Sequence, residues 1–153
     1  MNKQVIIWTL LLLVTSLFLI FEDSSARVFS IAPMPDLTFT NLTYNISFIS
    51  TNTTTSITYW NVQVRGILKN NGTIPAVASV SGTGMYRNLG GTGYGYGIPI
   101  PTPQIPAGRS TKISWSFIEP SGPIGVSFRA DVFNNVTESN ETNNVISTVI
   151  TLP

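Results

Sequence analysis

Five carboxylates follow Arg27: Asp36, Glu119, Asp131, Glu138 and Glu141. A pair of acidic side chains can cleave a glycosidic bond, one giving a proton while the other attacks or activates water. Three of the five fall in one stretch, Ala130 to Asn144, "ADVFNNVTESNETNN". With nearby amide or backbone oxygens, Asp131, Glu138 and Glu141 form the hard ligand set that Ca²⁺ prefers. The spacing matches no EF-hand: the loop has no glycine at the turn position and no D-x-D-x-D alternation. A turn that bonds itself is the stronger reading. Asn and Asp side chains accept from backbone N–H groups one or two residues away, and Asn tolerates left-handed backbone. Asn134, Asn140, Asn143 and Asn144 are therefore expected to satisfy the loop's own amides, with Glu138 and Glu141 accepting further N–H groups. No cofactor and no bound metal are expected.

The same loop holds two N-x-[ST] glycan acceptors, at Asn135 and Asn140, and four more stand at Asn41, Asn45, Asn52 and Asn71. Glycosylation is compatible with the turn role, and acceptors belong in exposed loops of exported chains. Histidine and cysteine are both absent. Their absence removes Ser-His-Asp, Cys-His and HExxH chemistry, together with the usual zinc ligands. An exported domain without cysteine must rest on its core. With three of the five carboxylates in a structural turn, no enzyme is expected.

A third group of candidates is aromatic. Tyr86, Tyr94 and Tyr96 lie in "SGTGMYRNLGGTGYGYGIPIPTP", Ser81 to Pro103, among many glycines and prolines. Their ring faces are a possible interaction surface for sugars or proteins. The plainer reading is an edge hairpin with glycines in its turns and prolines guarding its edge.

These groups need elements to hold them. The chain opens with Lys3, an apolar run from Val5 to Phe21, then Glu22 and Asp23, and small residues Ser24 and Ala26 before Arg27. Residues 1–26 read as a signal peptide or a membrane anchor, with the chain beyond Phe21 outside the membrane. Residues 27–35 read as a linker. From Arg27 onward, seven basic residues face five acidic ones. That sparse mixture carries no footprint for nucleic acid.

Beyond the linker the apolar residues alternate. Val62, Val64, Gly66 and Leu68 share one face, as do Ile113, Trp115 and Phe117, and likewise Ile124, Val126, Phe128, Ala130 and Val132. Ser127, Arg129 and Asp131 are expected outside. Leu37 and Phe39 are in phase, then Leu42, Tyr44, Ile46 and Phe48, so a bulge is expected near Asn41. The last strand, "VISTVITL", is apolar on both parities, so its second face should pack under a loop or meet a partner. About seven antiparallel strands with no helical period after Phe21 predict an all-β sandwich with one core.

Four stretches carry a family resemblance: "PDLTFTNLTY", "LKNNGTIPA", "IPAGRST" and the "ADVFNNVTESNETNN" loop. Their order and spacing resemble the CARDB domains, adhesion-related and immunoglobulin-like, of bacterial and archaeal surface proteins. Asp131, Glu138, Asn140, Glu141, Asn143 and Asn144 match the family's D…E-x-N-E-x-N-N motif. The resemblance spans roughly Pro35 to Leu152 and implies an Ig-like β-sandwich over residues 36–153, without catalysis. A single copy and the longer, glycine-rich Ser81–Pro103 depart from the pattern.

The function expected is a secreted or cell-surface adhesion module, anchored through its N-terminal segment if that is uncleaved. Its partners would be other surface proteins or glycans. The alternative is a subunit of an extracellular filament or surface layer, in which "RVFSIAPMP" adds as a strand to a neighbour's sheet.

Overall fold

The computed structural model of the chain describes residues 32–89 and 92–153, without the side chains of Leu89 and Thr92. Residues 1–26 and the candidate donor strand from Arg27 to Ile31 lie outside the described residues. Among those described, no helix is long and apolar enough to cross a membrane.

Pro33–Pro153 form one compact unit of eight strands: β1 Leu37–Asn52, β2 Ile57–Asn70, β3 Ser79–Leu89, β4 Thr92–Tyr96, β5 Pro99–Thr102, β6 Ser110–Pro120, β7 Gly122–Arg129 and β8 Val145–Leu152. They build two antiparallel sheets. One has the order β1-β2-β6; the other runs β4-β3-β7-β8, with β5 also on β3. The all-β arrangement is consistent with a β-sandwich. Eight strands stand against the expected seven, and Ser81–Pro103 holds the two shortest, β4 and β5, on the same edge of β3.

The alternating residues fill one core. Val62, Val64 and Leu68 of β2, Ile113, Trp115 and Phe117 of β6, and Ile124, Val126 and Phe128 of β7 are all buried. Each such side chain withdrawn from water contributes about 1.5–3 kcal/mol. Phe39 meets Phe128 at a ring separation of 5.5 Å. Gly66 makes that meeting possible, because a Cβ there would come within 2.8 Å of the Phe39 ring.

The bulge expected near Asn41 is present: the β1–β2 register shifts between Phe39 and Asn41. A second shift, between Phe48 and Ser50, has no counterpart in the sequence reading. Two expectations fail at the other end. Asp131 is not outside but 1% exposed. The chain leaves the β7 ladder after Arg129, and a positive φ of 41° at Asp131 ends the strand alternation. Val132 is half-buried and lies over Gly82, where a Cβ would meet its Cγ1 at 2.6 Å. The second apolar face of β8 does not pack under a loop either: Val145 and Val149 are exposed, on the parity opposite to the buried Ile150 and Leu152.

Candidate functional site

The Ala130–Asn144 loop is held from inside and out. Asp131 Oδ2 accepts the Val136 N–H at 2.7 Å, Glu141 Oε1 accepts the Glu138 N–H at 3.0 Å, and Asn140 Oδ1 accepts the Thr142 N–H at 3.0 Å. Of the asparagines expected to accept loop amides, Asn140 does so; the Asn143 and Asn144 amides instead donate to Asp36 and Glu138, and Asn134 takes a left-handed φ of 52°. Glu138 does something different. It is buried, and its Oε2 accepts the Leu37 N–H at the start of β1, while Oε1 takes the Asn144 amide at 3.1 Å. Asn143 reaches Asp36 at 2.8 Å, and the Thr38 hydroxyl donates to the Asn143 carbonyl at 3.1 Å. The loop therefore fastens the β7–β8 connection to the first strand.

Burial pushes the Glu138 carboxyl up to about 7, against the two hydrogen bonds that favour its charged form; the charges of Glu141 and Asp131 add to the rise. Asp131, Glu138 and Glu141 are neighbours, yet among the described residues no three acidic groups meet as a metal-binding cluster. Most of their oxygens are spent on N–H groups. One oxygen each of Asp131, Asn143 and Asn144 is buried without a hydrogen-bond partner.

A second polar cluster was not singled out in the sequence. Arg87 on β3 and Glu119 on β6 are both buried and pair at 3.2 Å, joining the two sheets. Arg87 also donates to the carbonyls of Pro120 and Ser121, at 2.5 and 3.1 Å. The hydroxyls of Tyr94 and Tyr96 both donate to Glu119, at 2.5 and 3.2 Å. Burial, then the charge of Glu119, pushes the Tyr96 hydroxyl up to about 12, and Tyr94 is raised by burial and by its bond to Glu119. The signal available was parity: Arg87 and Glu119 fall on the inner faces of their strands.

The three candidate tyrosines are consequently split. Tyr94 and Tyr96 lie on the inner side, where Tyr96 meets Trp115 edge-on at 5.7 Å. Tyr86 lies on the opposite face, its ring laid over Gly93 and Gly95. Tyr86 is 54% exposed, and Tyr94 and Tyr96, although their hydroxyls reach Glu119, remain 41% and 43% exposed. All six acceptor asparagines (Asn41, Asn45, Asn52, Asn71, Asn135 and Asn140) are exposed.

Asn70 was also missed. It is fully buried, its Oδ1 accepting from Asp36 and Gly72 and its Nδ2 donating to the Ile74 and Ile105 carbonyls. It ties the β2 end to the loops on both sides.

Among the described residues β1 is an edge strand of its sheet. Its inner-face residues Tyr44 and Phe48 are 51% and 60% exposed, and Leu42 and Ile46 are half-buried, although they pair with the buried Gly66, Val62 and Val64 or with Trp60.

The CARDB domain of the PF1109 protein from Pyrococcus furiosus, solved as a crystal structure in complex with di-metal ions, is 22% identical over 78% of this chain and 90% of that one, with a TM-score of 0.44. A solution NMR structure of the same domain is 23% identical over 78% and 95%, with a TM-score of 0.46. Beta-glucosidase 3B from Thermotoga neapolitana shares 15% identity over 76% of this chain but 17% of its own, with a TM-score of 0.40. No curated protein matches. The CARDB family model matches residues 34–148, and the chain belongs to the CARDB family.

Proposed function

We propose that this chain is a non-enzymatic adhesion module of the cell surface, tethered or secreted through its N-terminal segment. The observation that carries the reading is the edge strand β1, on which Tyr44 and Phe48 are 51% and 60% exposed. Contiguous apolar exposure of this kind marks interaction sites. The carboxylates support a non-catalytic role, since Glu119 and Glu138 are engaged in joining sheets and strands. The sequons of the Asn-Glu loop add to the reading, because the acceptor side chains of Asn135 and Asn140 are accessible to a glycan-transferring enzyme.

The experiment is deletion of the chain from its host, followed by an attachment assay of cells to surfaces and to one another. Attachment should fall and return on complementation; unchanged attachment contradicts the reading. The filament alternative draws on the same unpaired edge, which a donated "RVFSIA" strand would fill with Phe29 and Ile31 on one side. Deleting Arg27 to Ala32 should then abolish assembly while the sandwich still folds.

A further inference from the structure

We propose that two copies of this chain pair antiparallel through β1, about a two-fold axis at Asn45. The proposal rests on the adhesion-module reading and names its partner as a second copy.

Unpaired edges invite pairing with another chain, and proteins ordinarily guard them with Lys, Pro, bulges or short strands. β1 is 16 residues long and lies at the edge of its sheet. Its sequence, "LTFTNLTYNISFISTN", contains no charged residue and no proline. Its two register shifts fall before Asn41 and after Phe48. Between them runs an unbroken, uncharged eight-residue template.

That template is self-complementary. With the axis at Asn45, Tyr44 of one copy stands opposite Ile46 of the other, and Leu42 opposite Phe48. All four belong to the inner face. On the outer face Thr43 meets Ser47, and Asn45 meets itself. A slip by one residue would set apolar against polar throughout. Moving the axis to Tyr44 or Ile46 would push Phe48 or Leu42 onto a bulge. The register at Asn45 alone uses the four apolar residues within the regular run, and no like charges oppose it. Pairing would cover Tyr44 and Phe48, the largest uncovered inner-face side chains of the strand.

The absence of cysteine makes the register directly readable. Opposed residues of an antiparallel pair have Cα atoms about 4.5–5.5 Å apart, within disulfide reach. In the full-length chain, purified in detergent from a host that adds no sugars, Asn45→Cys should form a disulfide-linked dimer on mild oxidation. Thr43→Cys alone should cross-link about tenfold less, and mixing it with Ser47→Cys should restore the linkage. Tyr44→Lys, at a half-exposed position, should keep the β circular-dichroism spectrum and return the protein to monomer in light scattering. Linkage of Asn45→Cys no faster than that of the exposed Ser139→Cys overturns the proposal. So does a dimer that survives Tyr44→Lys, or preferential linkage of Tyr44→Cys to Phe29→Cys, which would give the edge to strand donation. If cross-linking fails while chain deletion still lowers attachment, the partner is wrong and the module reading stands.

Discussion

Neutralising Glu138 should remove a pH dependence that the fold imposes on itself. Its carboxyl is 6% exposed, lies near Asp131 and Glu141, and is pushed from 4.5 up to about 7. A raised carboxyl disfavours its ionised form in the folded state. The stabilisation is therefore complete below about pH 4.5 and is lost as pH rises through about 7. A shift of that size corresponds to roughly 3 kcal/mol at full ionisation, an upper value given the two N–H donors that still serve the charged form. No histidine titrates in the same window. Denaturant unfolding of the chain at intervals from pH 5 to 8.5 should show stability falling by about 2–3 kcal/mol. Glu138→Gln should flatten that slope. The glutamine can still accept the Leu37 N–H, and the unpartnered Asn144 Oδ1 is available to its amide once Asn144 turns over. A wild-type profile level across this range, or an equal slope in Glu138→Gln, would refute the reasoning.

Three further outcomes follow from buried polar groups. Asn70→Ala removes four hydrogen bonds at a fully buried position and should cost about 3–4 kcal/mol in equilibrium unfolding; a loss under about 1 kcal/mol would mean that water replaces them. Glu119→Gln leaves the buried Arg87 without its counter-charge and should cost about 3–5 kcal/mol. It should also lower the Tyr96 hydroxyl from about 12 in a spectrophotometric titration, with burial keeping part of the rise; an unmoved titration would detach Tyr96 from Glu119. Chelator treatment should leave the melting midpoint unchanged, because the loop carboxylates already accept N–H groups. A large drop rescued by Ca²⁺ would replace the turn with a metal site.

Period-two patterning made the sheets legible. Trp115 and its neighbours alternate with serines and Lys112, so the inner face of β6 could be read directly from the sequence, as could the slip near Asn41. What could not be read was where alternation stops. Asp131 sits in phase with exposed residues, and the positive φ that turns it inward depends on the Val136 N–H waiting for its carboxylate. Asn70 and Arg87 escaped notice because isolated polar residues in strands are usually solvent-facing, and the partners that draw them inward, Ile105 and Glu119, lie 35 and 32 residues away in the chain. The three tyrosines looked like one surface because they are close in sequence. Strand parity sends Tyr86 to one face and Tyr94 and Tyr96 to the other. The self-bonding of the Asn-Glu loop was readable at Asn140, where the Asx turn is local, but not at Asn143 and Asn144, whose amides donate to carboxylates. Its attachment to Leu37 was not, since that contact spans 101 residues.

Placement of the sandwich outside the cell tests the central claim most directly. Ser139 is exposed and the natural chain has no cysteine, so Ser139→Cys gives one accessible thiol. Intact host cells expressing that variant are treated with a membrane-impermeant maleimide, then lysed and assayed for label on the chain. The account predicts labelling before lysis equal to that obtained after it. Label that appears only once the membrane is broken would contradict a surface module.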